Sequence, residues 1–151
     1  MPEPSDILKS LHTSITDMAN SYHRASELAN LDAIGAFCTE LKQAHMENAH
    51  AVAGALVKRG ESPESDGSFK GLLDRVSLNV GFAVTADEKS VLPALRDAEK
   101  SLLQQYDDAL SEMEIAGNKF TPAETELVRS QRKSVVDMTA RIDDITRERM
   151  A

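Results

Sequence analysis

Leu8, Leu11, Ile15, Met18, Tyr22, Ala25 and Ala29 follow one another at alternating steps of three and four residues. On a helix that spacing gathers all seven on one stripe, whereas on a strand it would scatter them over both faces, so only the helix buries them together. The stripe predicts a first helix over roughly 5–29, with Ser5 as its cap. Asn30, Leu31 and Asp32 leave room only for a tight turn, and Asp32 is placed to cap a second helix. That helix turns Ile34, Phe37, Cys38, Leu41, Val52 and Leu56 inward and should stop at Gly60. A connection this short makes the two helices an antiparallel hairpin.

The run GESPESDG from Gly60 to Gly67 consists of turn residues, and Ser68 opens a shorter amphipathic stretch with Phe69, Leu72, Leu73, Val76 and Val80. Thr85 and Glu88 form a capping box that starts a long third helix. Its inward stripe is Val91, Leu95, Ala98, Leu102, Tyr106, Ala109 and Met113, with a bend expected at Pro93 and an end near Gly117. Thr121 and Glu124 repeat the box with Pro122 in the first helical position, and Leu127, Val135, Met138, Ile142 and Ile145 form the inward stripe of a fourth helix. The fold expected is all-α: one domain over 1–151, an antiparallel up-down-up-down four-helix bundle. A short extra helix over 68–82 lies in the connection between the second and third helices, and both tight turns sit at one end. A composition of 41% hydrophobic but only 4% aromatic residues suits such a core, built from Leu, Val, Ile, Met and Ala.

The formal charge of -8 repels the phosphate backbone and anionic lipid, and no cluster of Lys and Arg offsets it, so neither nucleic acid nor a membrane surface is expected as a partner. The longest nearly apolar run, Ala49 to Val57, is too short to span a bilayer. Cys38 stands alone, so no intramolecular disulfide forms, and MPEPSDILKS lacks the basic start and apolar stretch of a signal peptide. A cytoplasmic protein is the expectation.

Tyr22, the GESPESDGS connection at 60–68, AEKSLLQQYDDAL at 98–110 and QRKSVVDMTARIDDI at 131–145 together give the chain a likeness to known proteins. It resembles the ferritin-like superfamily and, more narrowly, a bacterial family of four-helix bundles of about this size, classed as ferritin-like domains of unknown function. The resemblance spans nearly the whole chain and rests on structural motifs. It implies the fold and no established activity.

A ferritin-like di-metal centre takes carboxylates from two helices and an E-x-x-H from each of the other two, all directed inward. HMENAH, residues 45–50, contains that spacing in Glu47 and His50. With Leu41 at the centre of the inward face and about 100° per residue, Asn48 falls about 20° and His45 about 40° from it. Glu47 falls about 120° away and His50 about 180°, so the matching pair points outward. The fourth helix offers no E-x-x-H, and Ala19 occupies the buried side of the first helix where a ligand carboxylate would belong. Glu99, His45 and His12 remain as candidate ligands for iron, manganese or zinc, with His12 and Glu99 read as a neighbouring pair.

The inward polar residues His45, Asn48, Tyr106, Gln131 and Ser134 are expected to form a hydrogen-bonded layer that fixes helix register, since buried polar groups must find partners. His23 sits at the edge of its helix, and Cys38 on the inward half of its own, as a small hydrophobe. No phosphate loop, nucleophile elbow or C-x-x-C pair occurs. The residues therefore favour a metal-free structural or interaction protein without catalytic residues or cofactor. It would act as a homo-oligomer, most simply a dimer, or with a protein partner, with Leu28, Leu31, Leu103 and the 68–82 stretch as contact candidates. Two alternatives stay open: a metal-binding oxidase or storage protein with a degenerate site, and a small-ligand binder in the polar middle of the bundle.

Overall fold

The computed structural model describes residues 3–27, 32–62, 88–116 and 119–150. Among them are four α-helices and no strand: α1 Pro4–Glu27, α2 Asp32–Lys58, α3 Glu88–Ala116 and α4 Pro122–Met150. The short helix expected over 68–82, the Thr85 side of its neighbouring capping box, Leu28 and Leu31 fall outside the described residues.

The helix ends follow from local chemistry. Pro4 is the first residue of α1, and the Glu3 carbonyl accepts from the Asp6 and Ile7 amides, so Glu3 caps the helix and Ser5 lies inside it. A proline in that first position loses no hydrogen bond, because its amide would have had no helical partner. At the end of α2 the Gly60 amide donates to the Val57 carbonyl and the Glu61 amide to that of Leu56, while Gly60 takes φ 78°. This is a Schellman stop, and it requires the left-handed backbone that glycine adopts without cost. The capping box of α4 is formed in both directions: the Glu124 amide donates to Thr121 Oγ1 at 3.1 Å, and the Thr121 amide to Glu124 Oε1 at 2.9 Å.

The predicted stripes form the core. Leu8, Ile15, Tyr22, Val52, Leu56, Val91, Leu95, Tyr106, Val135 and Ile142 have no exposed surface. Each such aliphatic side chain contributes about 1.5–3 kcal/mol on burial. On α4 the buried line includes Val128, and Leu127 and Ile145 pack against its flanks.

The order of helix directions differs from the sequence expectation. Glu61 pairs with Lys9 at one end of α1 and Lys42 with His23 near the other, so α2 runs antiparallel to α1. Ser14 on α1 meets Gln105 on α3, and Tyr22 meets Glu99, so α3 is also antiparallel to α1. Glu40–Arg141, Asn48–Gln131 and Arg59–Glu124 make α4 antiparallel to α2. The order is therefore up-down-down-up, and the two tight turns lie at opposite ends. The physical reason is the length of the stretch between Gly60 and Glu88, which is ample to return along a 29-residue helix of about 43 Å. A short connection would have compelled the alternating order.

At one end, Arg59 clamps the start of α4. Its Nε donates to Glu124 Oε2 at 2.5 Å and its Nη2 to Oε1 at 2.6 Å and to the Lys119 carbonyl at 2.8 Å, with the guanidinium over the Phe120 ring. Burial pushes the Glu124 carboxyl up, but the Arg59 guanidinium and the Thr121 backbone and hydroxyl outweigh it, leaving the carboxyl below the usual range. A carboxyl depressed in the folded state adds stability above the unfolded value of about 4.3 and loses it as pH falls through the folded value. Glu124→Gln should therefore be less stable than the parent at neutral pH, and the gap should narrow in acid, as read from urea midpoints across that range. Arg59→Ala should cost about 2 kcal/mol at neutral pH in the same measurement.

Candidate functional site

Three helices bring one ionisable group each to a single point in the core. Tyr22 of α1, His45 of α2 and Glu99 of α3 have no exposed surface. The Tyr22 hydroxyl donates to Glu99 Oε2 at 2.6 Å. His45 Nε2 lies 2.9 Å from Glu99 Oε1 and 3.1 Å from Oε2, its N–H aligned with the second oxygen although the first is nearer. The imidazole stacks on the Tyr22 ring, with centroids 5.8 Å apart and planes inclined by 16°. His45 Nδ1 and Glu99 Oε1 are buried and complete no hydrogen bond. A carboxylate so enclosed costs several kcal/mol unless paired, and here an imidazole and a phenol share the task. Burial first, then the Glu99 charge and hydrogen bond, hold the Tyr22 hydroxyl well above its usual value, so it stays protonated and keeps donating.

A second polar cluster lies lower in the bundle. The Tyr106 hydroxyl donates to Gln131 Oε1 at 2.8 Å, and Gln131 Nε2 donates to the Asn48 carbonyl at 2.9 Å. This ties α3, α4 and α2 together. Tyr106 is also held above its usual value, by burial and by the Glu99 charge.

A family model described as a domain of unknown function, DUF2383, matches residues 3–112. The chain belongs to that family. No curated protein and no solved structure matches it. The part matching DUF2383 contains Tyr22, His45, Glu99 and Tyr106, and it ends before α4 supplies Gln131 and Glu124.

Within this DUF2383 chain the expected single polar layer is thus two clusters. His45 joins the upper one, while Tyr106, Gln131 and the backbone of Asn48 form the lower. The Asn48 Nδ2 atom is buried without a hydrogen bond, and Ser134 is half-buried and enters neither cluster. Glu47 and His50 are exposed, as the helical wheel required, while His45 is fully buried. The pairing of His12 with Glu99 does not occur. His12 is buried on α1 but lies ten residues, about 15 Å, from the Tyr22 that meets Glu99. Both residues are far from their tight turns, and because those turns are at opposite ends, the two fall at different heights in the bundle.

Sequence reasoning missed Tyr22 as the partner of Glu99. The available signal was a tyrosine on an otherwise apolar stripe, whose hydroxyl needs an acceptor once buried. His23 stands half-buried at the helix edge, bonded by Lys42 Nζ at 2.9 Å and paired with Glu27. Cys38 is buried, and burial pushes its thiol up to about 12, which keeps it from nucleophilic work. Among the described residues no three His, Cys, Asp or Glu side chains gather as a metal-binding group, and no helix is long and apolar enough to cross a membrane.

The two tyrosines are the chain's only phenols, and tryptophan is absent, so tyrosinate absorbance reports on them alone. In the folded state no tyrosinate should form near pH 10. Raised folded values favour the folded state below the unfolded pKa of about 10, and that advantage is lost as pH rises above it. Absorbance should consequently rise together with loss of helix on alkaline titration. Tyr22→Phe removes one donor from a buried carboxylate and should cost about 1–3 kcal/mol in urea denaturation.

Proposed function

We propose that this chain is a non-catalytic bundle of ferritin-like architecture, a single domain in the reducing cytoplasm, that works by association with itself or with a partner protein. The observation carrying this reading is the closure of the Tyr22–Glu99–His45 cluster: the groups best suited to acid–base work have no exposed surface and are engaged with one another across three helices. A catalytic acid or base has to reach the proton it moves. Among the described residues one cleft is lined by Ser, Ala, Gln and Asp beside Met18 and Leu102, and another by Lys58, Arg59, Lys119, Thr121 and Glu124, where Arg59 and the Thr121 amide already occupy the Glu124 carboxylate. One long return connection between two hairpins is also how ferritin-like bundles are joined, which supports the architectural part of the reading.

A second reading has one specific observation behind it. Glu99 and His45 present oxygen and nitrogen 2.9 Å apart, with Oε1 and Nδ1 lacking hydrogen bonds. Oxygen and imidazole ligands each about 2.1 Å from a shared cation would stand at a comparable separation. In that reading the pair holds one divalent ion and Tyr22 orients the carboxylate.

Elemental analysis separates the two. Protein purified without a metal-affinity tag, loaded anaerobically with ferrous iron, manganese or zinc and desalted should carry well under one ion per chain. Light scattering should give a mass above one chain, alone or after a partner is added, and Glu99→Gln should leave that mass unchanged. One ion per chain, lost in Glu99→Gln, would replace the association reading with the metal one.

A further inference from the structure

Resting on the association reading, we infer that the groove between α1 and α3 is a docking surface for a basic amphipathic helix of a partner protein. The two helices approach through small side chains, Ser14, Ser21, Ala94, Ala98 and Ser101 among them, which leave a cleft of ≈ 500 Å³. A second cleft of ≈ 310 Å³ continues it toward the start of α1, with Gln105 lining both. Met18, Leu102, Ile7 and Leu11 lie beneath the two clefts as core side chains, and the half-buried Ala94 and Ala98 form the apolar floor that remains open. From Asp6 to Ser21 the two clefts together extend about 22 Å, roughly four helical turns, with the Ser14–Gln105 hydrogen bond crossing between them.

Charge selects the occupant. Asp6 and Asp17 line the groove from α1, and Asp97, Asp108 and Glu112 from α3, while among the described residues no Lys or Arg lines either cleft. Arg96 Nε sits 3.5 Å from its neighbour Asp97, and Gln104 donates to Asp108. Five acidic side chains and no basic one among the described lining residues give the groove a negative rim. A second copy would set this rim against another molecule of charge -8. The chain's own stretch 63–87 carries Glu64, Asp66, Asp74 and Asp87 against Lys70 and Arg75, so it is acidic too. A helix with an apolar ridge flanked by Lys and Arg matches both floor and rim, a recognised way for one helix to lie in the groove of another. Electrostatic complementarity of this kind speeds encounter and excludes acidic competitors.

The experiment is fluorescence anisotropy of a labelled amphipathic peptide of Leu and Lys, and of its Glu-for-Lys counterpart, titrated with the full chain at low and high salt. The basic peptide should bind, more weakly at high salt, and the acidic one should not. Asp97→Lys with Asp108→Lys should weaken binding about tenfold or more. Glu47→Lys, exposed on α2, should leave it unchanged. Ala98→Trp, which fills the floor without altering charge, should abolish binding while circular dichroism shows the helices intact. Binding that survives Ala98→Trp, or that Glu47→Lys weakens as much as the groove reversal, would reduce the effect to nonspecific attraction and overturn the proposal. Proteolysis within 63–87 that appears only in Ala98→Trp would put the chain's own segment in the groove, and a change of mass by light scattering in that variant would put a second copy there; either result overturns it. Absence of peptide binding in a chain that still self-associates defeats the groove alone, whereas stoichiometric metal lost in Glu99→Gln defeats the association reading.

Discussion

A carboxylate removed from water at the junction of three helices has to be met by partners whose positions are already fixed, and Glu99 imposes that condition on this fold. Apolar stripes spaced by threes and fours are nearly self-similar on displacement by one turn, about 5.4 Å, so leucines alone would allow the α1–α2 hairpin to slide against α3 and α4. The cluster forbids the slide. Moving α1 by one turn would present Met18 or Ala25 in place of Tyr22, and moving α2 would present Leu41 or Ala49 in place of His45. In either case Glu99 would keep its burial and lose a partner, at a cost of several kcal/mol. The Tyr106–Gln131–Asn48 chain repeats the device lower in the bundle with neutral groups.

Several polar contacts join the two hairpins. Tyr22–Glu99, His45–Glu99, Gln131–Asn48, Arg59–Glu124, Glu40–Arg141 and Ser14–Gln105 all join a residue of the first hairpin to one of the second. Inside each hairpin the short turn already brings the helices together, and Lys42–His23 in the first and Tyr106–Gln131 and Arg132–Asp107 in the second add polar contacts to the apolar packing. Between hairpins the link runs through a long connection, which restricts register far less. Specific hydrogen bonds supply what the covalent chain leaves undetermined.

This division explains what could be read from the residues. Helix stripes, the Gly60 stop, the Thr121–Glu124 box and the outward direction of Glu47 and His50 are all local properties, set by periodicity and by side chains a few positions apart. The direction of α3 relative to α1 is not local. Either direction satisfies the apolar stripes, and only contacts between hairpins decide. Assuming both tight turns at one end set His12 opposite Glu99, and the same assumption concealed Tyr22. His45, Tyr106 and Gln131 were still placed near the middle because they are near the centres of their helices, where counting from either end gives a similar height. The Arg59–Glu124 clamp was hidden for a different reason: it joins a helix end to a helix start across 65 positions, with no periodic signal to mark it.

The same geometry bears on where function can reside. Inter-hairpin contacts are specific but few, and small side chains along α1 and α3 keep those helices from closing fully over their shared surface. Larger residues at Ser14, Ala94 or Ala98 would have filled the space with apolar packing and gained stability by burial. Their absence leaves the Tyr22–Glu99 and Ser14–Gln105 hydrogen bonds to carry much of the α1–α3 register. A chain that fixes its register with buried hydrogen bonds can keep a groove open beside them, because stability no longer requires that the groove be filled. The buried cluster and the acidic groove are then two consequences of one arrangement, the first holding the hairpins in place and the second remaining as unfilled surface between them.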